Sequence, residues 1–167
     1  MDTDRKSAAD PDARPLLYLE DLHVGAHFVT GTHLIDAAQI RAFAAQFDPQ
    51  PFHLSEDGGR SSVFGGLVAS GWHTAAVTMR LLVEGGPRLA GGMVGASAEA
   101  GWPQPTRPGD MLQVQSEIVA VKPSRSRPDR GIATVRSETR NQRGELLQTV
   151  TAHLIVPRRA PSSESPA

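Results

Sequence analysis

Between Asp36 and Phe47 the apolar positions Ile40, Phe43, Ala44 and Phe47 recur at three-and-four spacing, and Asp36 stands where an N-cap belongs. The spacing predicts an amphipathic helix. Asp48-Pro-Gln-Pro51 must end it, because proline cannot continue a helix and restrains the residue before it. A second helical stretch, Trp72–Glu84, carries Ala75, Ala76, Val77, Met79, Leu81, Leu82 and Val83 around most of its circumference, which predicts burial on most sides. Ahead of the first helix, Ala26–Ile35 reads as a strand. After Gly86 the period changes to two. Met93–Trp102 is a strand of small residues, and Met111–Val121 alternates, with Leu112, Val114, Ile118 and Ala120 opposite Gln113, Gln115 and Glu117. Ile132–Arg140 and Leu146–Val156 follow, with turn signals at Pro108-Gly109, Pro123–Gly131 and Asn141–Gly144. Strands in series at hairpin spacing make an antiparallel meander. Its apolar face needs a cover, and the second helix is the most apolar element available. The expected class is α+β, a curved antiparallel sheet wrapped around one helix.

The chain has 167 residues, about one domain's worth. Residues 1–15 and 157–167 are polar and proline-rich, so they read as tails flanking a folded domain over 16–156. Basic and acidic residues nearly balance, 17 against 18, so neither nucleic acid nor an anionic membrane is expected as a partner. With no cysteine, a disulfide framework, a thiol nucleophile and a thiolate metal site are excluded. No apolar run approaches the ~20 residues that span a bilayer, and the charged N-terminus is no secretory signal, so a cytoplasmic location is expected.

The most informative stretch is Phe47-Asp-Pro-Gln-Pro-Phe-His53. It holds a carboxylate and an imidazole five residues apart, on a loop stiffened by two prolines. Such a pair can clamp one water, each group tuning the other, and so do general acid–base work alpha to a carbonyl. The same spacing also fits Asp48 as a simple helix end and His53 as a packed turn residue. In Phe64-Gly-Gly-Leu-Val-Ala-Ser-Gly71, glycines precede the apolar helix. Free N–H groups at that helix start, near Gly71, could hold a developing oxyanion. The glycines equally suit close helix–sheet packing.

With both stretches present, the chain resembles the MaoC-like dehydratases, the R-specific enoyl-CoA hydratases of the hotdog fold. Their signature is Gly-Asp-x-Asn-Pro-x-His-x-Asp, then a Phe-Gly stretch and a His-Gly step into the long helix. Asp48, Pro51, His53, Phe64, Gly65 and Gly71 match, and Trp102-Pro-Gln-Pro-Thr-Arg-Pro-Gly-Asp110, ahead of a strand, is similar to the family's Pro-Gly-Asp turn. Phe47, Gln50, Ser55 and Ser70 depart from it. The resemblance spans roughly 20–156. It implies that Asp48 and His53 activate a water and move the alpha proton, and that the Gly71 N–H polarises a thioester oxygen. Gln50, Phe64, Ser70 and Trp72 would line the pocket. It further implies an acyl-CoA substrate, no metal or other cofactor beyond the coenzyme A of the substrate, and a homodimer or dimer of dimers. A hotdog thioesterase is the alternative enzyme, disfavoured because Glu84 stands only at the end of the long helix. A non-catalytic acyl-CoA or acyl-carrier binding module is the third reading.

Lys122-Pro-Ser-Arg125-Ser-Arg127 concentrates positive charge in one hairpin loop, a candidate contact for coenzyme A phosphates that is equally read as a solvated turn. His27 and His33, at even spacing, could share one strand face, but no third ligand lies in reach for a metal. His73, on the first turn of the apolar helix, is expected to pack there.

Overall fold

The computed structural model describes residues 13–160. Five antiparallel strands form one sheet in the order β1 (His27–Leu34), β3 (Met111–Pro123), β4 (Arg130–Arg140), β5 (Leu146–Pro157) and β2 (Val94–Gly101). The last three strands in the chain are the expected meander. The helices α1 (Ala37–Phe47), α2 (Pro51–Leu54), α3 (Glu56–Arg60) and α4 (Gly71–Gly85) all fall between β1 and β2. The long helix α4 packs on the sheet, touching β1, β3 and β5.

Local chemistry explains the boundaries. Asp36 caps α1, its side chain accepting the Gln39 N–H. Pro51 ends the continuation of α1 and opens α2 as its first residue, where a missing N–H costs nothing. The short helices α2 and α3, only four and five residues long, are too short to show a period in the sequence.

One apolar cluster, with Ile35, Ile40, Leu67, Val77, Leu81, Leu112, Val114 and Leu147, ties α1 and α4 to the sheet. A second, with Leu19, Leu89, Ile118, Val135, Leu154 and Val156, fills the other end. On β3 the buried row is Leu112, Val114, Ser116 and Ile118, and Ser116 is satisfied there by Ser137 at 2.9 Å.

Three expectations need correction. First, α4 is not buried on most sides. Trp72 (65% exposed), Met79 and Val83 face outward, while the buried face includes the polar His73, Thr74 and Thr78. Apolar composition around a helix does not say which side the sheet covers. Second, His27 and His33 do not share a face. A bulge between Val29 and Thr32 inserts an extra residue, pairing His27 with Glu117 and His33 with Leu112, on opposite sides of the sheet. Third, contacts run past the 16–156 limits. Arg14 donates to the carbonyls of Gly86 (2.7 Å) and Val83 (2.9 Å), and Arg158 and Arg159 pair with Glu20 and Asp21. The remainder of the two proposed tails, 1–12 and 161–167, lies outside the described residues.

The Pro108-Gly109-Asp110 turn is structural. Gly109 takes a φ of +90°, and the Asp110 carboxylate, 2% exposed, accepts from the Arg107 N–H (2.8 Å), Asn141 Nδ2 (3.2 Å) and Arg143 Nη2 (2.8 Å). Replacing Asp110 by Ala removes a buried acceptor at the start of β3: the Arg107 N–H is orphaned, while Asn141 and Arg143 keep only Glu145. The expected loss is about 2–4 kcal/mol of folding stability, read by urea denaturation. A change below about 0.5 kcal/mol would show that the turn does not depend on this carboxylate.

Candidate active site

The chain leaves α1 at Asp48 in a non-helical conformation, and Pro51 starts α2 three residues later. This kink sets Asp48 at the end of one helix and His53 on the single turn of the next. His53 Nε2 comes to 3.3 Å from Asp48 Oδ2, with the histidine side chain 6% exposed and the aspartate 18%.

The tautomer of His53 follows from its other nitrogen. Nδ1 lies 2.7 Å from the carbonyl oxygen of Val68, which can only accept, so Nδ1 carries the hydrogen. In the neutral ring Nε2 therefore has a lone pair directed toward Asp48. Two acceptors at this separation are complementary only if a proton lies between them or a donor such as water bonds both.

Asp48 is held by its neighbours. Ser70 Oγ donates to Oδ2 at 2.6 Å, and Gln50 Nε2 donates to Oδ1 at 2.7 Å. The Ser70 bond is the largest influence holding the Asp48 carboxyl below its usual range. Desolvation opposes it, while Gln50 and the charge of His53 add to it. Ser70 is also the N-cap of α4, its Oγ accepting the Trp72 N–H at 3.2 Å. One hydroxyl thus couples the carboxylate to the start of the long helix. The Gly71 N–H, at the first position of α4, has no hydrogen-bond partner among the described residues.

A Ser70→Ala variant tests that coupling. A lowered pKa means the stabilisation from Asp48 is present above its unfolded value and lost as the pH falls through its folded value. Without Ser70, that loss moves to higher pH. Titration of the Asp48 carboxyl by NMR is expected to show the upward shift, with about 1 kcal/mol lost from the cap. An unmoved titration would refute the coupling.

These groups open on a pocket of about 370 Å³. Its lining includes Asp48, Gln50, His53, Phe64, Ser70, Gly71 and Trp72, all singled out from the sequence. It also includes Thr74, which was not, and Trp102–Thr106, noted in the sequence only as the lead into the Pro-Gly-Asp turn and not as pocket residues. Trp102 had no chemical signal of its own; its Nε1 bonds Gln148 at 2.7 Å, a partner 46 positions away. Its indole lies flat against Gly71, where a Cβ would sit 2.8 Å from the ring fusion, so only glycine fits beneath it. Lys122, Arg125 and Arg127 are exposed at the opposite end of β3, some eleven residues or roughly 35 Å along the strand from Met111. Within one chain they do not meet this pocket. His73 is buried and stacked on Phe43 (4.6 Å between centroids, 4° apart), and burial pushes its pKa down. His33 bonds Gln39, and His153 bonds Thr134.

Comparison with known proteins places this geometry in context. The model of the MaoC like domain matches residues 22–141, from the turn before β1 through β4. The chain belongs to the MaoC-like domain family. This MaoC-like chain is 58% identical to a MaoC-like dehydratase of known structure from Rhodospirillum rubrum, with a TM-score of 0.84 over 87% of this chain and 99% of that one. It is 32% identical to a 3-hydroxybutyryl-CoA dehydratase from Methylorubrum extorquens, over 70% of this chain and 73% of the relative. The solved (R)-hydratase of A. caviae involved in PHA biosynthesis is 26% identical, with a TM-score of 0.64 over 84% of this chain and 99% of that one. The hotdog fold expected from the resemblance is therefore the fold of this MaoC-like domain. Among the described residues no helix is long and apolar enough to cross a membrane.

Proposed function

We propose that this MaoC-like protein adds water across the 2,3 double bond of a 2-enoyl-CoA, or removes it from the 3-hydroxyacyl-CoA, with Asp48 and His53 as the acid–base pair. The observation that carries this reading is the unpaired demand between them: the Nε2 lone pair and a carboxylate oxygen 3.3 Å apart at a pocket wall. A water that donates one hydrogen to each satisfies both and leaves its oxygen lone pairs free for the substrate.

In hydration, the water oxygen bonds to C3 while one of its O–H bonds breaks and the proton passes to His53 Nε2. The π electrons of the double bond move onto C2 and the thioester oxygen as an enolate. The imidazolium, stabilised by Asp48, then returns a proton to C2. One water is consumed, and His53 ends neutral. The lowered pKa of Asp48 keeps it a carboxylate, suited to orienting the water and balancing the imidazolium. The free Gly71 N–H, with the N-terminal dipole of α4 behind it, is the donor for the enolate oxygen. The proton inventory closes on these groups and water, so the reaction needs no resident metal or redox cofactor, and coenzyme A enters as part of the substrate.

The β2 edge is exposed along nearly its whole length, and Trp72, Met79 and Val83 lie open on α4. An unpaired strand edge beside an exposed apolar helix face supports a homodimer or dimer of dimers, in which a second copy would cover both. A coenzyme A substrate fits a cytoplasmic enzyme. Incubation with 2-enoyl-CoAs is expected to remove the conjugated thioester absorbance with no free thiol released. Persistent absorbance would overturn the proposal, and stoichiometric thiol would replace it with a thioesterase.

A further inference from the structure

Among the groups given a role in the reaction, Gly71 is the one with no side chain to hold it. Glycine has the widest backbone freedom of any residue, yet a donor for a developing oxyanion acts by being fixed before the charge forms. The N–H of Gly71 belongs to the peptide that joins it to Ser70. The carbonyl of that peptide accepts the Thr74 N–H at 3.0 Å, which ties one side of it to the first turn of α4. The other side, at the Gly71 Cα, needs a restraint from elsewhere.

The indole of Trp102 supplies it. A Cβ at Gly71 would lie 2.8 Å from Trp102 Cε2 and 2.9 Å from Cδ2, so the ring is seated directly on the Cα. That seat is anchored in the interior. Trp102 Nε1 donates to Gln148 Oε1 at 2.7 Å, and Gln148, with no solvent exposure, donates from Nε2 to Thr78 Oγ1 at 3.1 Å. On its other side the indole meets Trp72 edge-on at 5.4 Å. The same segment continues the restraint: the Thr106 carbonyl accepts the Ala69 N–H at 2.8 Å, and the Thr106 and Thr74 hydroxyls meet at 2.9 Å. Residues 102–106 therefore hold the Ser70–Gly71 peptide from before and behind.

We propose that Trp102 is a positioning residue for the reaction: seated on Gly71 and anchored by Gln148, it fixes the direction of the N–H that receives the enolate oxygen. The inference rests on the reading of that N–H as the oxyanion donor and adds the residue that sets it. Trp102 acts through Gly71, so its loss weakens polarisation of the thioester rather than proton transfer by Asp48 and His53.

The thioester carbonyl itself reports the donor. Butyryl-CoA carries no double bond to hydrate, and its carbon-13-labelled carbonyl is read by infrared difference spectroscopy on the full chain. Bound to the unmodified protein, the carbonyl band is expected at lower frequency than in free solution. In Trp102→Leu, which lacks both the indole and its anchor, most of that shift is expected to disappear. In the same variant kcat for crotonyl-CoA is expected to fall by about 10²-fold, with KM moving far less. Trp102→Phe keeps an aromatic ring for Gly71 without the Nε1 donor. It is expected to recover part of both effects, and it carries the test if the leucine variant does not fold. A folded variant with the parent band and the parent kcat overturns the proposal. So does a loss that falls wholly on KM or merely tracks the unfolded fraction, or an unshifted band in the unmodified protein. A band that shifts in the parent and relaxes in the variants, while no enoyl-CoA takes up water, would keep Trp102 as the restraint on the donor and sink the hydratase reading.

Discussion

Asp48→Asn and His53→Gln are each expected to lower kcat for enoyl-CoA hydration by about 10²–10⁴-fold while leaving the fold intact. The asparagine keeps the size of Asp48 and can still accept from Ser70 Oγ, 2.6 Å away in the parent. It loses the negative charge that balances an imidazolium and replaces one acceptor oxygen by a donor. The glutamine removes the Nε2 lone pair, the group proposed to take the water's proton. Because the two side chains act on one water, the double variant is expected to lose little more than the worse single variant. Losses that multiply across the double variant would show that the residues act in separate steps. A variant retaining more than about a tenth of the parent rate would remove that residue from the acid–base assignment. Steady-state rates with circular dichroism as a folding control decide between these outcomes.

Gly59→Ala is expected to cost at least about 3 kcal/mol of folding stability, from a position with no catalytic chemistry at all. A Cβ there would lie 2.1 Å from the carbonyl carbon of Gly66 and 2.4 Å from the nitrogen of Leu67. Both are backbone atoms, and neither can swing aside. The close approach of α3 to the 66–68 segment matters to the site, because Val68 in that segment supplies the carbonyl that orients His53. Urea denaturation should show the loss, and any folded fraction should have impaired activity. A stability within about 0.5 kcal/mol of the parent would mean that the two segments separate easily.

Much of this fold was legible because its signals are local. Asp36 as a cap, Asp48-Pro-Gln-Pro51 as a stop, and the alternation on β3 each act within a few residues, and each stands as expected. What escaped depends on partners distant in the chain. The bulge that separates His27 from His33 is a property of the β1–β3 pairing, and Gly31, which lies inside it, is its only local sign in β1. The buried polar face of α4 is intelligible only once Thr139 on β4 and Gln148 on β5 are seen to satisfy Thr78. Trp72–Glu84 alone therefore suggested an apolar interior where the protein places a hydrogen-bonded layer.

The site divides in the same way. Spacing alone left Asp48 and His53 open to a packing role, and the resemblance to MaoC-like dehydratases singled them out. Their geometry adds what neither could supply: the Val68 carbonyl that sets the tautomer, and the Ser70 hydroxyl shared between carboxylate and helix cap. Ser55, one of the departures from the family signature, caps α3 through the Gly58 N–H at 3.0 Å. The basic residues Lys122, Arg125 and Arg127 illustrate the opposite case, where a charge cluster conspicuous in the sequence lies far from the pocket of its own chain.

The most direct test of the central claim is to run the unmodified protein with crotonyl-CoA in oxygen-labelled water and locate the label by mass spectrometry. The expected product is a 3-hydroxybutyryl thioester carrying one heavy oxygen at C3, with the coenzyme A still attached. Label found instead in a free carboxylate, or crotonyl-CoA recovered unchanged, would contradict the assignment of Asp48 and His53 as a water-adding pair.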